Sequence, residues 1–131
     1  MEGLVTLESR FGPKETMDRL EAEVRGKGMQ VFARIDHAGG ATAAGLTLRP
    51  TEVLVFGNAK GGTPLMVAVQ TMGLDLPLKV LVWEDEAGVT HLSFNDPHWL
   101  ASRYGVGAAV LPVVDKLRGA LDLVTKAAAS A

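Results

Sequence analysis

The residues best suited to chemistry in this chain lie between Thr51 and Pro64, where Thr-Glu-Val-Leu-Val-Phe runs into Gly57-Asn-Ala-Lys-Gly-Gly-Thr63. A buried strand entering a glycine-rich turn before a helix can aim backbone N–H groups and a lysine at an anion. Asn58, Lys60, Gly61, Gly62 and Thr63 are the candidate ligand-binding residues of such a site. The spacing is not that of a nucleoside-triphosphate loop, which places Gly-Lys-Ser/Thr at the helix start. Here Lys60 precedes the glycines, and Thr63 is followed by Pro64, which lacks an N–H. Two readings stay open: a modest anion or polar small-molecule site, and a tight strand–helix connection that needs positive φ.

Asp36 and His37 form the second constellation. A carboxylate beside an imidazole at a strand end can act as an acid/base pair, although neighbours on an extended chain point to opposite sides. His91 sits within a strand pattern and His98 one turn past Asp96. The three histidines lack His-x-x-x-His or comparable spacing, so no metal site is expected. No nucleophile elbow of the Gly-x-Ser-x-Gly kind occurs. Glu84, Asp85 and Glu86 read as a solvated hairpin tip, and Trp83, Phe94, Trp99 and Tyr104 as packing residues.

These residues are positioned by elements legible from periodicity. Alternation predicts strands over Gly3 to Glu8 and Met29 to Ile35, Glu52 to Phe56 reads as a buried strand, and Leu78 to Glu84 and Val89 to Phe94 as strands flanking the hairpin at 85–88. Pro13 opens a helix whose apolar positions are Met17, Leu20 and Val24. Residues 36–40 read as a loop, and Leu46 to Leu48 as a brief extended piece. Thr63-Pro64 is expected to cap a helix reaching about Thr71. Asp96-Pro97 opens a short helix stopped at Tyr104-Gly105. From Val106, the spacing of Val110, Val113, Leu117, Leu121 and Val124 predicts a long C-terminal helix, bent near its start by Pro112 and fraying over Ala127 to Ala131. No linker, internal repeat or low-complexity segment interrupts the chain, so residues 1–131 read as one domain.

The composition excludes several classes. With 131 residues, 47% hydrophobic and 21% charged, the chain can bury a core and is not disordered. A net charge of −2 supplies no basic field for nucleic acid. Without cysteine there is no disulfide, thiolate metal site or thiol nucleophile. No apolar run is long enough to span a bilayer, and the acidic start does not resemble a signal peptide, so a cytoplasmic protein with no membrane partner is expected. The apolar excess predicts a homodimer. Two Asn and two Gln in all fit a thermophile and equally a GC-rich genome.

Five segments, taken together, resemble one family: Phe32-Ala-Arg-Ile-Asp-His-Ala38, Leu48-Arg-Pro-Thr-Glu-Val-Leu-Val-Phe-Gly-Asn58, Gly62-Thr-Pro-Leu-Met66, Leu76-Pro-Leu-Lys-Val-Leu-Val-Trp-Glu-Asp85 and Asn95-Asp-Pro-His-Trp-Leu-Ala101. This pattern is similar to domain-of-unknown-function family 302, over Gly3 to about Leu123. The resemblance implies an α+β domain of two layers, roughly β-α-β(4)-α, with a mainly antiparallel sheet covered by helices, and a homodimer. It implies no reaction and no cofactor. Its blocks coincide with Asp36-His37, the glycine segment and Pro77-Leu-Lys79, which adds Lys79 to the candidate ligand-binding residues. The commonest pattern has proline after Gly-Asn, where Ala59 stands here, and this loosens the segment.

Three functions follow as expectations. The leading one is a small cytosolic domain binding an anionic or polar small molecule near Gly57 to Thr63, without catalysis. The second is an acid/base enzyme using Asp36 and His37 with Lys60 or Lys79. The third is a structural or partner-docking homodimer.

Overall fold

The computed structural model describes residues 1–130. Strand β1 (Leu4–Glu8) leads into helix α1 (Pro13–Gly26), then β2 (Gln30–Asp36), α2 (His37–Ala43), β3 (Thr51–Gly57), α3 (Ala59–Ala68), β4 (Leu78–Glu84), β5 (Thr90–Asn95), α4 (Pro97–Tyr104) and α5 (Leu111–Ala129). Short 3-10 turns occupy Gln70–Asp75 and Ala108–Val110. The five strands form one antiparallel sheet in the order β1-β5-β4-β3-β2. The β-α-β(4)-α skeleton is present, with α2, α3 and α4 set into its connections.

One face of the sheet and two helices make the main core. Met17, Leu20 and Val24 of α1 and Leu121, Val124 and Ala128 of α5 are fully or almost fully buried. They pack on Leu54, Phe56, Val80, Val82, Leu92 and Phe94, the alternate residues of the three central strands. Burying a Leu or Phe side chain is worth about 1.5–3 kcal/mol, so this layer is the principal source of stability. A second, smaller core under α3, α4 and the start of α5 holds Leu65, Met72, Leu100 and Val114.

Several local expectations are corrected. The residues read as a loop at 36–40 contain a helix start, because the Asp36 carboxylate accepts the Gly39 N–H at 2.9 Å and so caps α2. Helix α3 begins at Ala59 rather than Thr63, since the Asn58 side chain accepts the Gly61 N–H at 2.8 Å. It ends at Ala68, and a 3-10 turn takes over. The C-terminal helix starts at Leu111, with Pro112 in its first turn, where the missing N–H costs nothing. Its end does not fray through Ala129: Ala128 and Ala129 are buried, and the Arg19 guanidinium donates to the carbonyls of Ala127, Ala128 and Ser130. Ala131 lies outside the described residues. Leu46 to Leu48 belong to no regular element.

Candidate functional site

A cleft of about 200 Å³ lies where α3 passes the start of β4 and the middle of α5. Three elements shape it. Gly57 ends β3 with φ +150, and a Cβ there would stand 3.4 Å from that of Pro77. The backbone angle is what calls for glycine here, since a Cβ would make ordinary contact with Pro77. At Gly61 a Cβ would lie 3.3 Å from Leu117 Cδ2, so this glycine lets α3 approach α5. At Gly62 a Cβ would meet the ends of Met66 and Leu76 at 3.7 and 3.8 Å, in the cleft itself. The far wall is Leu76, Pro77 and Leu78, with a cis Leu76–Pro77 peptide. Phe32 closes the mouth: it is the extra residue of a β-bulge between Val31 and Ala33, and it stays half exposed.

The lining is apolar apart from Asn58 and Thr63. The Asn58 side-chain oxygen accepts from Gly61, which leaves its NH₂ free to donate to a guest. The Thr63 hydroxyl can donate or accept. No lysine or arginine lines the cleft, so an apolar body with one polar end suits it better than an anion.

The sequence candidates divide between separate places. Asn58, Gly62 and Thr63 line the cleft. Gly61 sits behind it, on Leu117. Lys60 lines a shallow groove on the outer side of α3 with Pro64 and Val67. Neither Gly61 nor Gly62 has positive φ, because both are helical, and the Gly61 N–H is already bonded to Asn58. Lys79, paired with Val55 in the sheet, projects from the opposite sheet face. Asp36 and His37 stand at the far end of β2 from Gly57, which pairs with Gln30. Six residues of strand separate them, about 20 Å. The Asp36 carboxylate is engaged as the α2 cap, and no lysine of the cleft region reaches it. The lining residues Phe32, Met66, Leu76 and Leu117 carry no chemical signature: the sequence places Phe32 on a strand and Leu117 on the buried stripe of the C-terminal helix, and gives Met66 and Leu76 only as members of the family blocks. The signal that could have found the site was the pair of blocks Gly62 to Met66 and Leu76 to Asp85.

Other polar clusters are structural ties. Arg34 donates to Glu52 at 2.9 and 3.1 Å and pairs with Asp18 and Glu21 of α1, locking β2 to that helix. Its hydrogen bonds to Glu52 lead in raising its pKa, while Asp18 and Glu21 are held below the ordinary carboxylate range by Lys14 and Arg25 respectively and by Arg34. His98 bridges Asp115 (2.6 Å) and Asp96 (3.2 Å), joining α4 to α5. Arg118 adds a 2.9 Å pair to Asp96. Tyr104 donates to Asp75, which raises the phenol pKa. Among the described residues no group of three or more His, Cys, Asp or Glu is arranged to hold a metal ion.

A two-layer α+β domain with an apolar cleft beside a capped helix is the class that this geometry defines. The domain of unknown function DUF302 matches residues 5–124, and the chain belongs to that family. Proteins named fluoride-specific ion channel FluC 1, from Brucella suis biovar 1 and Brucella abortus biovar 1, are each 46% identical to it over 127 residues, or 97% of the chain. One named FluC 2, from Brucella melitensis biotype 1, matches equally. The chain spans about half the length of these curated relatives, 47–50%. Among the described residues, no helix is long and apolar enough to cross a membrane. The crystal structure of an uncharacterized conserved DUF302 protein from Bacillus stearothermophilus has the same fold, with a TM-score of 0.86 over 98% of this chain and 99% of that one, at 19% identity.

Proposed function

We propose that the domain is a non-catalytic binding module for a small, mostly apolar molecule with one hydrogen-bond acceptor, held in the cleft beneath Gly57 to Thr63. The observation that carries this reading is the cleft itself: about 200 Å³, apolar-walled, with the Asn58 amide as its donor. A buried apolar cavity of about 150 Å³ accommodates benzene, so the volume here suits a substituted single ring or a short branched chain. Met66 and Phe32 supply soft and aromatic contacts to such a body. The cytosolic setting expected from the sequence belongs to this reading. So does the context offered by the relatives, in which a module of this kind makes up half of a protein named as an ion channel.

Acetophenone, a single ring with one carbonyl acceptor, is the probe. Titrated into ¹⁵N-labelled protein, it should move the amides of residues 57–66 and 76–78 saturably at millimolar concentration, a binding free energy of about −4 kcal/mol. Gly62→Leu, which fills the cleft from a helical position, should abolish those shifts. Unmoved resonances, or shifts scattered over the surface, would overturn the proposal. The names of the relatives favour fluoride itself as a second reading. Sodium fluoride moving residues 57–63 where acetophenone does not would select it. The absence of a cation from the cleft leads us to expect the reverse.

A further inference from the structure

The two faces of the sheet are covered unequally. Helices α1 and α5 cover one. On the other, the register sets Ile35, Val53, Leu81, Ser93 and Thr6 side by side across all five strands. Trp83 and His91 stand beside that row, their rings stacked with centroids 4.5 Å apart. Ile35 is still 45% exposed and Leu4 41%. We propose that a second copy of this chain docks here, sheet against sheet with strand directions nearly aligned.

Three observations point to that occupant. The first is size. Five strands span roughly 24 Å, and their length is about 20 Å, a footprint of roughly 500 Å² that side-chain relief carries toward the about 800 Å² per partner of a stable interface. The second is that polar groups at the centre of the patch are bonded to one another. Trp83 Nε1 donates to Ser93 Oγ at 2.9 Å, Ser93 Oγ lies 2.8 Å from Thr6 Oγ1, and His91 Nε2 lies 2.8 Å from Asp85 Oδ2. Removing water from the centre of this face therefore leaves the Trp83 N–H and the His91–Asp85 pair with their partners. The third is charge. Lys79 marks one end of the face and Glu8 the other, and neither has an ion-pair partner among the described residues. A two-fold axis lying across the strands sets the lysine end of each copy over the acidic end of the other, as a self-complementary contact requires.

Sedimentation equilibrium at tens of micromolar should give twice 13.8 kDa. Leu81→Lys, at the centre of the patch, should return a single 13.8 kDa species with an unchanged circular dichroism spectrum. Should that variant fail to fold, Ile35→Glu makes the same test at a position half exposed in the single chain. A monomeric wild-type protein overturns the proposal, whether or not it sediments with anionic lipid vesicles. A dimer untouched by the folded variant also overturns it, since the contact would then lie elsewhere.

Discussion

Gly57 is the residue on which the cleft depends most directly. Its φ of +150 lies where side chains are strained, while an added Cβ would only touch the Pro77 ring. Gly57→Ala should therefore destabilise the fold by about 1–3 kcal/mol, read as a loss in urea midpoint with unchanged slope. A cost below about 0.5 kcal/mol would mean that the strand end relaxes freely and that the cleft wall is soft. Asn58 illustrates a different economy: one side chain caps α3 with its oxygen and offers its NH₂ to the cleft. Lys60, two residues along, is turned outward and shares none of that.

At the level of elements, α5 carries the heaviest structural load. Its apolar positions divide by depth. Leu121 and Val124 are sealed in the main core, while Leu117 is only partly buried and faces the cleft. Leu121→Ala should cost about 2–5 kcal/mol, the range for truncating a sealed leucine, and Leu117→Ala clearly less. Chemical denaturation of both variants decides this; equal losses would place Leu117 in the core as well. The Arg19 fork over the last carbonyls of α5 explains why an alanine-rich end stays helical, since cations near a helix C-terminus satisfy its orphan acceptors.

On the scale of the whole molecule, His98 ties α4 to α5 in a pH-dependent manner. Asp115, and with it Asp96, favours the charged imidazole and raises its pKa above 6.5, against a small burial cost. A folded pKa above the unfolded one adds stability that is complete below about pH 6.5 and disappears as pH rises through the folded value. Asp96 runs the other way: burial opposes ionisation, yet the His98 N–H and Arg118 hold its pKa below the usual carboxylate value. Its contribution is present above about pH 4 and is lost as the solution becomes more acidic. The difference in melting temperature between wild type and His98→Ala should thus be largest near pH 5.5 and should shrink toward pH 8.5. The imidazole is largely solvated, so the effect should stay under about 1 kcal/mol, or about 4 °C. Equal differences at both pH values would mean that the charged form of His98 is not what holds the two helices together.

Most of the architecture is legible in the sequence. Alternation, a buried apolar run and a hairpin turn locate the five strands, and Met17, Leu20 and Val24 locate the buried side of α1, because burial imposes its periodicity locally on any chain that packs a layer. The Asp85 to Gly88 hairpin and the Asp96-Pro97 start and Gly105 stop of α4 were equally plain, being set by turn and cap chemistry within a few residues. Where two local signals competed, the sequence alone did not choose. Asn58 and Thr63 are both good caps, and the folded chain uses the earlier one, whose side chain accepts the Gly61 N–H. The cleft was beyond reach for a stronger reason. Its walls come from residues 32, 57–66, 76–78 and 117, and no pattern along the chain records how far apart such segments end in space. The same holds for Lys79: its face of the sheet follows from its pairing with Val55, and that register set it on the opposite side of the molecule from the glycine segment.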